Sequence, residues 1–144
     1  MVDVKRSLHV DADPARVIEY ISDVSNHPAF IPPLKDVTNV SGDPKQLGTK
    51  WEWTFTMAGV QLKGHAETVD YVAGTRFSFR TSGIDSTFKY EVEPDGGGSR
   101  LTATVSYEVP EGVLAKVADR AVVARINEGE ADHAVKNLQA IFSS

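Results

Sequence analysis

Between Leu34 and Val109 apolar and polar residues alternate with a period of two, the pattern of β-strands that each keep one dry face. In residues 49–57, Trp51, Trp53, Phe55 and Met57 share one side and Lys50, Glu52, Thr54 and Thr56 the other. The same rule sets Val60, Leu62, Gly64 and Ala66 opposite Gln61, Lys63, His65 and Glu67, and Phe77 and Phe79 opposite Arg76 and Arg80. Phe88, Tyr90 and Val92 continue it, followed by Leu101, Ala103, Val105, Tyr107 and Val109. Met57-Ala58-Gly59, Ala73-Gly74 and the stretch from Pro94 to Gly98 supply tight turns between the runs. A strand at about Lys35 to Ser41 and one framed by Val2, Val4, Ser7 and Val10 bring the expected total to about seven. The whole is an antiparallel meander with one wet face.

Elsewhere the period is helical. Asp13-Pro14 provides an N-cap and a proline for a first helical turn, and Val17, Ile18 and Ile21 then form one buried face of a short helix. Pro28, Pro32 and Pro33 limit the next segment to one short turn, with Phe30 and Ile31 available to plug an apolar site. From Gly112 to Phe142, positions 114, 117, 121, 124, 128, 131, 135, 138 and 142 step by three and four. Leu114, Val117, Ala121, Ala124, Ala131, Val135, Leu138 and Phe142 are apolar, and the remaining position is Glu128. This predicts one long C-terminal helix covering the dry face of the sheet, in an α+β architecture. Small residues at its centre and larger ones at its ends imply room beneath it.

Composition narrows the function classes. The 144 residues suffice for one domain, taken as 1–144, and a chain of this size buries about 70% of its unfolded surface. A net charge of −5 offers no basic footprint for nucleic acid or an anionic membrane surface. No apolar run reaches the roughly 18 residues of a membrane span, so integral insertion is not expected. The absence of cysteine removes disulfides, thiolate metal sites and a cysteine nucleophile. The first ten residues lack the apolar core of a secretory signal, so the expected location is cytoplasmic.

The order of strand, two short helices, six strands and a long terminal helix resembles the helix-grip fold of the START-like, or Bet v 1-like, superfamily (SRPBCC), which includes polyketide cyclase/dehydrase and lipid transport proteins. The resemblance covers essentially the whole chain. Its most specific piece, Asp23-Val24-Ser25-Asn26-His27-Pro28-Ala29-Phe30-Ile31-Pro32, is similar to a stretch of the coenzyme Q-binding branch, with His27 in place of an aromatic residue and Pro33 where that branch carries Trp. Glu128 to Asn137-Leu138 is similar to the superfamily's last helix. The resemblance implies a curved sheet wrapped round the terminal helix, with a hydrophobic ligand held between them.

Candidate chemistry is sparse. Glu128, a carboxylate on an apolar stripe, is the one candidate for acid/base work. His65 and Glu67 share a strand face, but alternation puts them on the wet side without a third ligand, so no metal is expected. His27 belongs to the segment over one mouth of the cavity, where it would meet a ligand head group or stand in solvent. Gly96-Gly97-Gly98 lies between strands without a following helix and reads as a turn, not a phosphate loop. No cofactor motif occurs.

The cavity wall is expected to include Phe30, Trp51, Trp53, Phe55, Leu62, Phe77, Phe79, Phe88, Tyr90 and Tyr107. From the helix it is expected to include Leu114, Val117, Ala121, Ala124 and Glu128. The first expectation is a binding protein for a small hydrophobic molecule, lipid-, quinone- or polyketide-like, working as a monomer or as a homodimer through edge strands. The alternatives are a polyketide cyclase or dehydratase using Glu128 with Tyr90 or Tyr107, and a module gripping a protein partner.

Overall fold

The computed structural model of the chain describes residues 2–143. Strand β1 (Val2–Val10) is followed by helix α1 (Pro14–Ser22), a 3-10 turn at Val24–Asn26 and the four-residue helix α2 (His27–Phe30). Strands β2 (Leu34–Thr38), β3 (Lys50–Met57), β4 (Val60–Val72), β5 (Arg76–Ser82), β6 (Ser86–Asp95) and β7 (Gly98–Tyr107) come next. The short helix α3 (Glu111–Leu114) and the 22-residue α4 (Arg120–Ile141) complete the chain. The Asp13 carboxylate accepts the Arg16 backbone N–H at 2.9 Å, so α1 starts where a capping residue and a proline predict.

All seven strands form one antiparallel sheet in the order β1-β7-β6-β5-β4-β3-β2. The expected faces hold, with register pairs such as Phe79↔Phe88, Trp53↔Gly64 and Val4↔Val105. Two irregularities, between Leu34 and Asp36 and between Thr68 and Asp70, bend the sheet. Its curl is visible in the packing, because Val4 of β1 and Val37 of β2, on opposite edges, border the same cavity. Strand β2 ends at Thr38, short of the expected Ser41, because Asn39 takes φ 52°, a left-handed conformation that stops a ladder. At the β3–β4 hairpin Ala58 and Gly59 have φ of 49° and 82°, as a two-residue turn of matching twist requires.

Two regions lie on the dry face. Under α1, Val10, Val17, Ile18, Ile21, Phe77 and Leu101 are all within 1% of complete burial. Under α4 the packing opens into the cavity described below.

The terminal helix is not continuous from Gly112. Residues 115–119 leave the helical path, and Asp119 caps α4 by accepting the Ala121 N–H at 2.8 Å. The break shifts the phase of the N-terminal half of α4 by one residue. Val123 is fully buried and Asn127 and Glu130 turn inward, whereas Ala121 and Glu128 are exposed. Gly129 sits exposed in the middle of α4, and a Cβ there meets no atom within 4 Å. Gly129→Ala is therefore expected to raise stability by about 0.5–1 kcal/mol in urea denaturation, through reduced freedom of the unfolded chain.

Candidate functional site

The cavity has a volume of about 150 Å³ and lies between α4, α2 and the concave face of the sheet. Trp51, Trp53, Phe55 and Met57 of β3 form one wall by the period-two rule. Phe79 of β5 and Phe88 of β6 stack face to face at 4.8 Å with an 8° tilt, and Trp51 meets Phe79 edge-on at 5.4 Å. Phe30 and Ile31 close one end, and Ala131, Ala134, Val135 and Leu138 of α4 form the roof. The two alanines leave the space that bulkier side chains on that face would fill.

Of the expected wall, Phe30, Trp51, Trp53, Phe55, Phe79, Phe88, Tyr90 and Tyr107 border the cavity. Phe77 does not: it is 0% exposed in the close-packed region under α1. Leu62, Leu114 and Val117 pack against the core without reaching the cavity, Leu114 because it precedes the break before α4 and Val117 because it lies within that break. Ala124 is half-buried beside the roof, and Ala121 and Glu128 face solvent after the change of helical phase. The carboxylate at the cavity is Glu130, whose Oε2 is buried without a hydrogen-bond partner.

His27 is not a solvent-facing loop histidine. It is 1% exposed, stacks on Phe79 at 5.5 Å and borders the cavity. Its Nε2 lies 2.7 Å from the Ile21 carbonyl, which can only accept, so Nε2 carries the proton. Burial pushes its pKa down to about 4, against smaller opposing effects from the Ile21 carbonyl and Asp23. The ring is therefore neutral near pH 7, and Nδ1 is left as a lone-pair acceptor. Its place three residues before Phe30, in a segment expected to plug an apolar site, was the only trace of this in the sequence.

Arg6 was also unforeseen, although Val4, Arg6, Leu8 and Val10 alternate onto the dry face of β1. Its Nε donates to Asp132 of α4 at 2.6 Å and one terminal nitrogen donates to the Lys5 carbonyl. Asn127, Tyr107, Thr81 and Ser86 on the wall are paired too. Asn127 Nδ2 donates to the Tyr107 hydroxyl at 2.8 Å, and Thr81 and Ser86 share a hydrogen bond. Burial raises the Tyr107 phenol, and the Asn127 hydrogen bond opposes that shift.

Tyr90 differs. It is 4% exposed, its hydroxyl has no hydrogen-bond partner among the described residues, and burial strongly raises its phenol. The Trp53 indole N–H is likewise buried and unpartnered. Among the described residues no group of three His, Asp or Glu side chains is gathered as a metal site, and His65 stands on the outer face 3.4 Å from Glu52.

The curled sheet, the terminal helix laid across it and the apolar cavity between them define a helix-grip protein. The chain belongs to the polyketide cyclase / dehydrase and lipid transport family, whose model matches residues 1–142. Among solved structures, TTHA0849 from Thermus thermophilus superposes with a TM-score of 0.78 at 17% identity, covering 96% of this chain and 95% of that one. CV1439 from Chromobacterium violaceum gives 0.71 at 16%, covering 99% and 98%. The major latex-like protein 151 of Panax ginseng gives 0.70 at 14%, also covering 99% and 98%. At these identities the likeness is one of fold. No curated protein matches significantly in sequence. No helix among the described residues is long and apolar enough to cross a membrane.

Proposed function

We propose that the protein is a binding protein for a small hydrophobic molecule held between α4 and the sheet. The observation that carries this reading is the cavity itself, about 150 Å³ of aromatic- and aliphatic-walled space in an otherwise well-filled domain. Interiors are normally packed to crystal density, and an apolar void forfeits dispersion contacts on every wall. A ligand recovers them. The family assignment supports the same reading, since lipid transport is part of the family's description.

Native mass spectrometry of freshly purified protein, followed by titration with the neutral dye N-phenyl-1-naphthylamine, tests it. A retained small molecule released on denaturation, or saturable dye uptake near one per chain, is the expected result. The absence of both retained mass and saturable uptake would overturn the reading.

Glu130 supports a second reading, in which the cavity carries acid/base chemistry on a bound carbonyl compound. An unpartnered carboxylate oxygen at an apolar wall is the kind of group that moves a proton next to a carbonyl. Protein-dependent exchange of the α-hydrogens of 1-tetralone in D2O, followed by NMR, would support it if Glu130→Gln reduced the rate at least about a hundredfold, the usual scale of general-base catalysis. Exchange no faster than in buffer would remove it.

A further inference from the structure

The polar groups bordering the cavity fall into two sets. Arg6, Thr81, Ser86, Tyr107 and Asn127 hold protein partners. The Tyr90 hydroxyl and the Nδ1 of His27 have none among the described residues, although these residues are only 4% and 1% exposed, and the Trp53 indole N–H and Glu130 Oε2 are unpartnered as well. Their rings lie 6.5 Å apart by centroid, and neither is hydrogen-bonded to the other. Buried polar groups are partnered in the large majority of cases, because an unmade hydrogen bond costs about 1–3 kcal/mol. Two such groups side by side on a cavity wall mark the place where a ligand supplies the missing partners.

Their chemistry is specific. Nδ1 accepts, and the Tyr90 hydroxyl can donate. A ligand hydroxyl satisfies both at once, giving its proton to Nδ1 and accepting from Tyr90. A ketone serves only one of them. An anionic head group finds no free cation, because Arg6, the arginine on the wall, is already engaged with Asp132 and the Lys5 carbonyl.

Size adds a second constraint. A cavity of about 150 Å³ is the size that holds benzene in a well-studied engineered case, and this one is walled by the stacked Phe79–Phe88 pair and by Trp51. Compact rings match that space.

We propose that Tyr90 and His27 together form a hydroxyl-reading subsite, and that the cavity's ligand is an uncharged ring compound of one or two rings bearing a hydroxyl group. This rests on the binding reading above and narrows it to a ligand class.

The test compares three probes, 2-naphthol, naphthalene and laurate, by NMR titration of the whole chain. Wild-type protein is expected to bind 2-naphthol about tenfold or more tighter than naphthalene, the worth of one or two hydrogen bonds in a dry site, and tighter than laurate. Tyr90→Phe is expected to erase most of that preference by weakening 2-naphthol binding about tenfold relative to naphthalene binding by the same variant. Because it removes a buried hydroxyl that has no partner, the variant's unfolding midpoint without ligand should not fall.

Equal affinity of the wild type for 2-naphthol and naphthalene would overturn the subsite while leaving the cavity reading intact, and needs no variant. Tighter binding of laurate would overturn the ligand class. Failure of all three probes to bind would overturn the binding reading beneath it.

Discussion

Replacing Gly64 with alanine is expected to lower the stability of the protein by about 3 kcal/mol, the upper part of the usual range for overpacking. A Cβ at this position would stand 2.0 Å from the Ser82 carbonyl oxygen and 2.4 Å and 2.9 Å from Cζ2 and Cη2 of Trp53. The first obstacle is backbone of the neighbouring strand, and the second is an indole held in the cavity wall. Neither can yield without moving β4 away from β5 or turning Trp53. Gly83, across the same strand pair, is equally confined, with the Lys63 carbonyl oxygen 2.6 Å from its added Cβ. Urea denaturation measures the loss, and tryptophan emission reports the displaced indole because Trp51 and Trp53 are the chain's two tryptophans. Uptake of N-phenyl-1-naphthylamine should weaken in parallel. A loss below about 1 kcal/mol would show that the strands separate there easily. The contrast with Gly129→Ala is informative: the same substitution changes sign because one glycine is walled in and the other faces open solvent.

Acid is expected to unfold the protein through His27. In the unfolded chain its imidazole titrates near 6.5, whereas burial in the fold pushes it down to about 4. Between these values the unfolded chain binds a proton that the folded chain refuses. Stability is therefore undiminished above about pH 6.5 and falls as the pH drops towards 4, by about 3 kcal/mol for a difference of this size. His9 acts in the opposite direction. The Asp95 carboxylate, 3.0 Å from its Nδ1, raises its pKa, so that pair contributes below the unfolded value and is lost as pH rises. His9 is half-buried at the surface, with its side chain 39% exposed, so solvent screens its share and His27 dominates the acid side. Denaturation curves at several pH values between 4 and 7 should show the slope, and His27→Gln should remove about one proton's worth of it. An unchanged slope in that variant would assign the acid sensitivity to other groups.

The strand faces were legible in the chain itself because side chains on a strand alternate with a period of two. Trp51, Trp53, Phe55, Phe79, Phe88 and Tyr90 needed only that rule to be placed on the cavity side. Phe77 obeyed the same rule and still misled. It shares the dry face with Phe79, but it falls under α1, where Ile18, Ile21 and Leu101 fill the space. Alternation decides which face a residue occupies, and nothing in it separates the filled end of that face from the open one.

The helix was harder. Stepping by three and four from Leu114 produced a stripe that ran through a break, because such steps tolerate a one-residue slip in either direction. Asp119, a capping residue in the middle of the stretch, was the signal that a new helix begins there. Starting from it turns Val123, Asn127 and Glu130 inward and sends Ala121 and Glu128 to solvent. The carboxylate of interest thus moved by two residues, which on a helix is more than half a turn.

By itself the sequence determined the architecture. Local periods, turn residues and the Asp13-Pro14 cap are encoded by neighbours in the chain, and only one layering of a long amphipathic segment on a seven-stranded meander buries both apolar surfaces. Tertiary structure alone decided the site. Which side chains enclose unfilled space, and which buried polar atoms lack a partner, depends on contacts between residues as distant in the chain as His27 and Tyr90, or Arg6 and Asp132. Those contacts are set by the curl of the sheet and the phase of one helix, and neither can be read from any single segment.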